Sequence, residues 1–339
     1  MADDDEQIYP FQFLGPDAVL DAVESLGYEA NGQVFALNSY ENRVYQIGLE
    51  GGDKLVCKFY RPDRWSDAQI LEEHQFSQQL SDLEIPVVAP LSINGDTLQV
   101  CQIEGEAFRF AVFPYQRGRA PEFDQDAHLE VIGRFLGRVH RVGAQAAFTH
   151  RPAFSVQSFA EDSASFLLEN DFIPLSLLQA YESLSQDLMG RLNDRFQDVA
   201  GQISIFRVHG DCHPGNVLWQ DNTPFFVDLD DARNGPAVQD LWMLLSGDDM
   251  QMQRQLGIIV EAYEQFNEFD VRELVLIEPL RTMRMMHYAA WLARRWVDPA
   301  FPRNFPWFES ERFWSDHVLA LREQLAALDA PPLRLSVFR

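Results

Sequence analysis

With 339 residues and 46% hydrophobic side chains, the chain is long enough for one large domain or two modest ones around a sizeable core. The formal net charge of −25 argues against binding by phosphate neutralisation, so no nucleic-acid partner is expected, and it disfavours an anionic membrane surface. No apolar run approaches the roughly 18 residues of a membrane span, the acidic start "MADDDEQ" reads as disordered without a signal-peptide core, and three widely spaced cysteines make no disulfide framework or zinc site, so a cytoplasmic monomer is expected.

The first 113 residues read as a strand-rich lobe with one helix. "VFALNSYENRVYQIGLE" gives an apolar run, a polar turn and then alternation of Val44, Gln46 and Gly48 against Tyr45, Ile47 and Leu49, which is a hairpin signal. "KLVCKFYR" predicts a second strand, with Leu55, Cys57 and Phe59 on one face and Val56, Lys58 and Tyr60 on the other. "SDAQILEEHQFSQQLSDL" predicts a helix capped by Ser66. "VVAPLSI", "DTLQVCQI" and "EAFRFAVFPY" complete a small, mostly antiparallel sheet. A Pro- and Gly-marked connection over 114–120 follows, and the character then changes. Leu129, Ile132, Leu136 and Val139 fall at helical spacing, and helical patterns continue through 160–200, 250–267, 277–296 and 311–328. Residues 121–339 therefore read as a larger, mostly helical lobe, and the chain as a bilobal α+β fold.

One island, 203–230, breaks the helical pattern. Its polar loop "HGDCHPGN" precedes the strand "NVLW", the turn "QDNT" and the strand "FFVDLDD". A carboxylate and an amide from the loop and a carboxylate from the strand end can converge on one point. Oxygen ligands such as those of Asn216 and Asp228 suit Mg²⁺, which is usually held by one or two carboxylates plus substrate phosphates. Asp211 then has a different task, accepting the proton of a hydroxyl nucleophile. The spacing His209-x-Asp211-x₄-Asn216, with Asp228 17 residues beyond Asp211, matches the parts of a kinase phosphoryl-transfer site and implies ATP as co-substrate.

Together, "HGDCHPGN", "FVDLDDA" and "GPAVQDLW" resemble the aminoglycoside phosphotransferase and choline kinase-like branch of the protein-kinase fold. The blocks "LNSYENRVYQ", "KFYRPDRW", "ILEEHQF", "VFPYQRGR" and "DPAFPRNFPWF" narrow the likeness to bacterial serine/threonine protein kinases of that branch with a stress-response role. The resemblance implies Asp211 as catalytic base and Asn216 and Asp228 as Mg²⁺ ligands. It also implies Lys58 at the α- and β-phosphates of ATP, with Glu73, or as the second choice its neighbour Glu72, as the helix carboxylate that pairs with it. Ser39 falls where the phosphate-covering loop approaches ATP, Phe113 to Gln116, with Tyr115, form the hinge beside adenine, and Asp240 is the buried helix carboxylate that holds the catalytic loop.

Two departures stand out. The phosphate loop is "NSYENR" with no G-x-G-x-x-G, and Gly210 occupies the place of an Arg that normally reads a phosphorylated activation loop. Alone, Lys58 reads as a strand-edge gatekeeper, Glu72 and Glu73 as a solvated helix face, Ser39 as a turn residue and Cys212 as a buried filler. The expected acceptor is a protein Ser or Thr, the chain itself included. The alternatives are a choline- or aminoglycoside-like hydroxyl and, from another class, a non-catalytic ATP-binding sensor.

Overall fold

The computed structural model describes residues 9–123 and 125–335, so the "MADDDEQ" start lies outside the described residues. In the first lobe, helix α1 (Pro16–Glu24) precedes strands β1 (Ala30–Ala36), β2 (Arg43–Leu49) and β3 (Lys54–Phe59). Helix α2 (Asp67–Asp82) and strands β4 (Gln99–Ile103) and β5 (Glu106–Pro114) follow. The strands form one antiparallel sheet in the order β1-β2-β3-β5-β4. Alternation sorts its faces as the sequence predicts. Leu55, Cys57 and Phe59 join Ile47 and the α1 residues Val19, Ala22 and Val23 in a core, while Val56 and Lys58 face a cleft on the other side.

Helix α2 carries the predicted cap, and the box is reciprocal: Ser66 Oγ accepts from Gln69 N and Gln69 Oε1 from Ser66 N. Two local features differ from expectation. Besides α2 the lobe holds α1, a nine-residue helix too short to stand alone, which exists by packing its apolar face on the sheet. "VVAPLSI" is not a strand. Its Val87 makes an isolated parallel bridge to Phe226 of the second lobe, and Pro90 removes a ladder donor.

The second lobe holds α3 (Asp126–Gly143), α4 (Asp162–Glu169) and α5 (Leu175–Asp198), then β6 (Phe206–Val208), β7 (Val217–Gln220), β8 (Thr223–Phe226) and β9 (Arg233–Gly235). It closes with α6 (Val238–Trp242), α7 (Asp249–Tyr263), α8 (Ile277–Arg294), α9 (Ala300–Asn304) and α10 (Glu311–Asp329). One core joins α3, α7 and the β6–β9 island to Phe76 and Leu80 of α2, and a second joins α4, α5, α8 and α10. The predicted strand "FFVDLDD" stops at Phe226, because Asp228 turns into the left-handed region (φ 59°) and Leu229–Asp231 form a 3₁₀ turn. Among the described residues no helix is long and apolar enough to cross a membrane.

Candidate active site

The loop from His209 to Asn216 is held by bonds from the elements around it. Asp240 on α6 is fully buried and accepts from the backbone N–H of His209 (2.7 Å) and Gly210 (2.8 Å), with His140 Nε2 2.9 Å away. These are the bonds expected of Asp240. Gln239 donates to Gly210 O (2.8 Å), and His209 Nε2 lies 2.9 Å from Val227 O, tying the loop to the segment that carries Asp228. Gly210 explains its own departure from kinases with Arg at this place. Its φ is +86°, and a Cβ would sit 2.2 Å from the Asp231 carbonyl oxygen. Cys212 is buried among apolar neighbours, and burial pushes its thiol up, as befits a filler.

On this frame, Asn216 Nδ2 donates to Asp211 O (3.0 Å) and Asp211 Oδ2 (3.3 Å), which leaves the amide oxygen of Asn216 for another partner. Asp211 Oδ1 accepts from Arg284 of α8, and His213 Nε2 is 3.5 Å from Oδ2. Burial alone would raise the Asp211 carboxyl, but His213 and Arg284 hold it below its ordinary value. Lys58 is 5% exposed and contacts Asp228 Oδ1 (2.9 Å) and Asp230 Oδ1 (3.2 Å). Burial opposes the ammonium, yet Asp228, Asp230 and Glu73 keep its pKa well above the usual value, so Lys58 is charged. Asp228 is half exposed and strained in the left-handed region, a pattern that gathers at functional sites.

The helix carboxylates separate cleanly. Glu73 is buried and faces the cleft, whereas Glu72 turns away and accepts from Thr149 N (2.6 Å), Thr149 Oγ1 (2.7 Å), His150 N (2.8 Å) and Arg151 N (2.8 Å). The direct Lys58–Glu73 ion pair implied by the resemblance is not among the described contacts. Glu73 Oε2 instead lies 3.6 Å from Arg151, because Asp228 and Asp230 stand closer to the ammonium, and burial raises Glu73 to about 7. Ser39 Oγ donates to Asn42 O (3.2 Å), so the residue does close a turn, and it also lines the cleft.

Two cavities occupy the cleft. One, of about 390 Å³, is an apolar slot lined by Leu37, Val56, Phe113, Tyr115 and Leu218, with Lys58 and Glu73 at its inner end. Gly118 lets the 114–120 connection approach its floor, since a Cβ there would lie 2.7 Å from Leu218 Cβ. The other, of about 440 Å³, is walled by Tyr40, Arg284, Tyr288 and Trp291 and opens on Asp211. The two share Asn38, Ser39, Gly215, Asn216 and Asp228. A free amide oxygen and a half-exposed carboxylate at that junction fit a hard divalent cation, whose remaining positions phosphates and water would fill.

Several residues here went unread in the sequence. Arg64 pairs with Asp230 and, at 2.7 Å, Asp231, and Asn42 Nδ2 donates to Asp230 (3.2 Å). Glu41 binds Trp291, Arg295 (2.9 Å) and Arg61 (3.1 Å), and Asp298 binds Arg43 and Arg61. "RPDRW" and "DPAFPRN" carried Arg61, Arg64 and Asp298 in plain view, but nothing local announces such distant partners.

A model of the phosphotransferase enzyme family matches residues 34–275. Stress response kinase A of Escherichia coli is 46% identical over 328 residues, covering 97% of this chain and 98% of that protein. Serine/threonine protein kinase RdoA of Salmonella typhimurium is 44% identical over 331 residues, covering 98% of each. Among solved structures, amicoumacin kinase in complex with AMP-PNP, Ca²⁺ and Ami superposes with a TM-score of 0.72 at 22% identity, covering 94% of each chain, a likeness of fold. The chain thus belongs to the phosphotransferase enzyme family, as an ATP-dependent kinase related over nearly its whole length to stress response kinase A.

Proposed function

We propose that the protein moves the γ-phosphoryl group of ATP, with Mg²⁺ bound, to a Ser or Thr hydroxyl of a protein, itself included, in a cytoplasmic stress response. The observation that carries this reading is the junction of the two cavities at Asn216 and Asp228, with Lys58 opening on one side and Asp211 on the other. In this reading residues 1–113 cover ATP, 114–120 form the hinge and 121–339 hold the chemistry. Adenine would lie between Val56 and Leu218 beside Phe113 and Tyr115, and Lys58 would neutralise the α- and β-phosphates. Glu73 would balance the ammonium from behind, and Ser39 would sit above the phosphates. Asn216 and Asp228 would hold Mg²⁺, which supplies charge neutralisation of the phosphates when bound. The acceptor oxygen attacks the γ-phosphorus, its proton goes to Asp211, and the bond to ADP breaks. Positioning and fixed charge supply most of the rate.

The wall of the acceptor cavity supports a neutral hydroxyl over a cationic one. Every carboxylate lining it already has a basic partner: Glu41 with Arg295, Asp211 with Arg284, Asp228 with Lys58, Asp230 with Arg64, and Asp231 with Arg64 and Arg233. An amine acceptor would have to displace one of them. A second reading, transfer to a small-molecule hydroxyl, draws on the size of that cavity, whose volume suits a small ligand. Labelled ATP offered to generic protein substrates and to amino alcohols separates the two, and transfer to the alcohols alone would overturn the protein-kinase reading. Asp211→Asn should bind ATP as the wild type does while transfer falls by about 10²–10⁴, the effect of removing a general base. Undiminished transfer would mean that Asp211 is not the base.

A further inference from the structure

The loop Asn38–Asn42 lies over the junction of the cavities, yet it lacks the glycines that usually let a backbone approach phosphate. Its conformation is set from the far lobe. Asp298, just before α9, is 2% exposed and binds two arginines of the first lobe. Its carboxylate accepts from Arg43 Nη2 (2.9 and 3.1 Å) and Arg61 Nη2 (2.7 Å). The same arginines reach back to the loop carbonyls. Arg43 Nη1 donates to Tyr40 O (3.1 Å), Arg61 Nε to Glu41 O (2.8 Å) and Arg61 Nη2 to Tyr40 O (3.2 Å). A second staple runs alongside: Glu41 binds Arg295 and Trp291, and the Tyr40 ring meets the Phe305 edge at 4.9 Å.

With its carbonyls claimed, the loop has donors to spare. Among the described residues, no acceptor within the chain is found for the N–H groups of Asn38, Ser39, Tyr40, Glu41 or Asn42. Successive free backbone N–H groups form an anion-binding concavity. We propose that Asp298 is a positioning residue for the phosphates of ATP: through Arg43 and Arg61 it turns the 40–41 carbonyls outward and leaves the loop amides free for phosphate. One buried and one part-buried guanidinium on one carboxylate do here what glycine freedom does elsewhere. The burial of Asp298 would raise its carboxyl, but Arg61, Arg43 and the Ala300 N–H keep it ionised, as the clamp requires.

This inference rests on the ATP reading of the cleft, and its test separates the two. Binding of Mg²⁺–ATP and of adenosine is measured by calorimetry on the full chain as wild type, Asp298→Asn and Glu41→Gln. Adenosine fills the apolar part of the slot and carries no phosphate for the loop amides to hold. The expected result is an ATP Kd raised about tenfold or more in each variant, the size of a lost charge-assisted hydrogen bond, with adenosine affinity unchanged. ATP affinity equal to wild type in the variants overturns the inference, as does a parallel fall for adenosine, which would mark general loosening of the lobe. If Asp298→Asn does not fold, Glu41→Gln decides by the same ratio. A wild type that binds no ATP would instead fail the nucleotide reading itself.

Discussion

Asp211 sits in a contest between burial, which raises its carboxyl, and the His213 ring and Arg284 guanidinium, which together win and hold it below the ordinary range. As the base of the proposed reaction, Asp211 must be ionised to accept a proton, so the depressed value would extend activity toward acid pH. Arg284 also occupies Asp211 Oδ1, the oxygen that an acceptor hydroxyl would use, and as it is half exposed it can swing away. Arg284→Gln should move the acid limb of the kcat/KM profile to higher pH, because the carboxylate loses a counter-charge, while the plateau at alkaline pH is retained. An acid limb that stays in place would show that Arg284 does not act through Asp211.

Helix α2 brings Glu73 into the cleft, and Glu72, one residue earlier, anchors that helix to the second lobe through the 149–151 backbone. Desolvation pushes the Glu72 carboxyl up, but the hydrogen bonds from Thr149, Arg151 and His150 outweigh it and leave it lowered. A lowered folded-state value contributes stability that is present above the unfolded pKa and fades as pH falls through the folded one. Glu72→Gln should thus cost about 1 kcal/mol at pH 7, the low end for a charge-assisted cluster because the site is open to water, and progressively less toward pH 4. Urea midpoints across that range check it, and a cost independent of pH would exclude the charged form as the cause. The same helix illustrates what a sequence exposes. Its cap, its apolar stripe and the alternation of β2 and β3 are written in residues a few places apart, and so were legible. Helix α1 escaped because nine residues give too short a period, and "VVAPLSI" misled because its apolar side chains answer to Phe226 and not to a neighbouring strand. Of the candidate site, the loop motif pointed to Asp211, Asn216 and Asp228, which the fold brings to one cleft. The clamp on the phosphate loop did not show, since Arg43 and Asp298 lie 255 residues apart.

Across the whole molecule the cleft is closed by charge pairs whose members come from opposite lobes. Lys58 meets Asp228 and Asp230, Arg64 meets Asp230 and Asp231, and Arg43 and Arg61 meet Asp298. Leaving any of the buried members unpaired is costly, several kcal/mol for an uncompensated interior charge. The apolar core continues across as well, with Phe76 and Leu80 of α2 packed among residues of the second lobe. Neither lobe can therefore unfold and leave its partner's surface satisfied, and heating should produce one transition. A ligand seated between the lobes must then stabilise both at once. Mg²⁺–ATP at about 100 times its Kd contributes about 2.7 kcal/mol, a rise in Tm of roughly 4 °C for a chain of this size. On the proposed roles, Asp211→Asn should keep that rise, as its carboxylate would serve the acceptor, whereas Asp228→Asn should lose most of it, as its carboxylate would serve the nucleotide's metal. Scanning calorimetry with and without nucleotide reads all three proteins. Two transitions, only one of them moved by ATP, would mean that the lobes fold independently and that the charge pairs across the cleft do not hold them together.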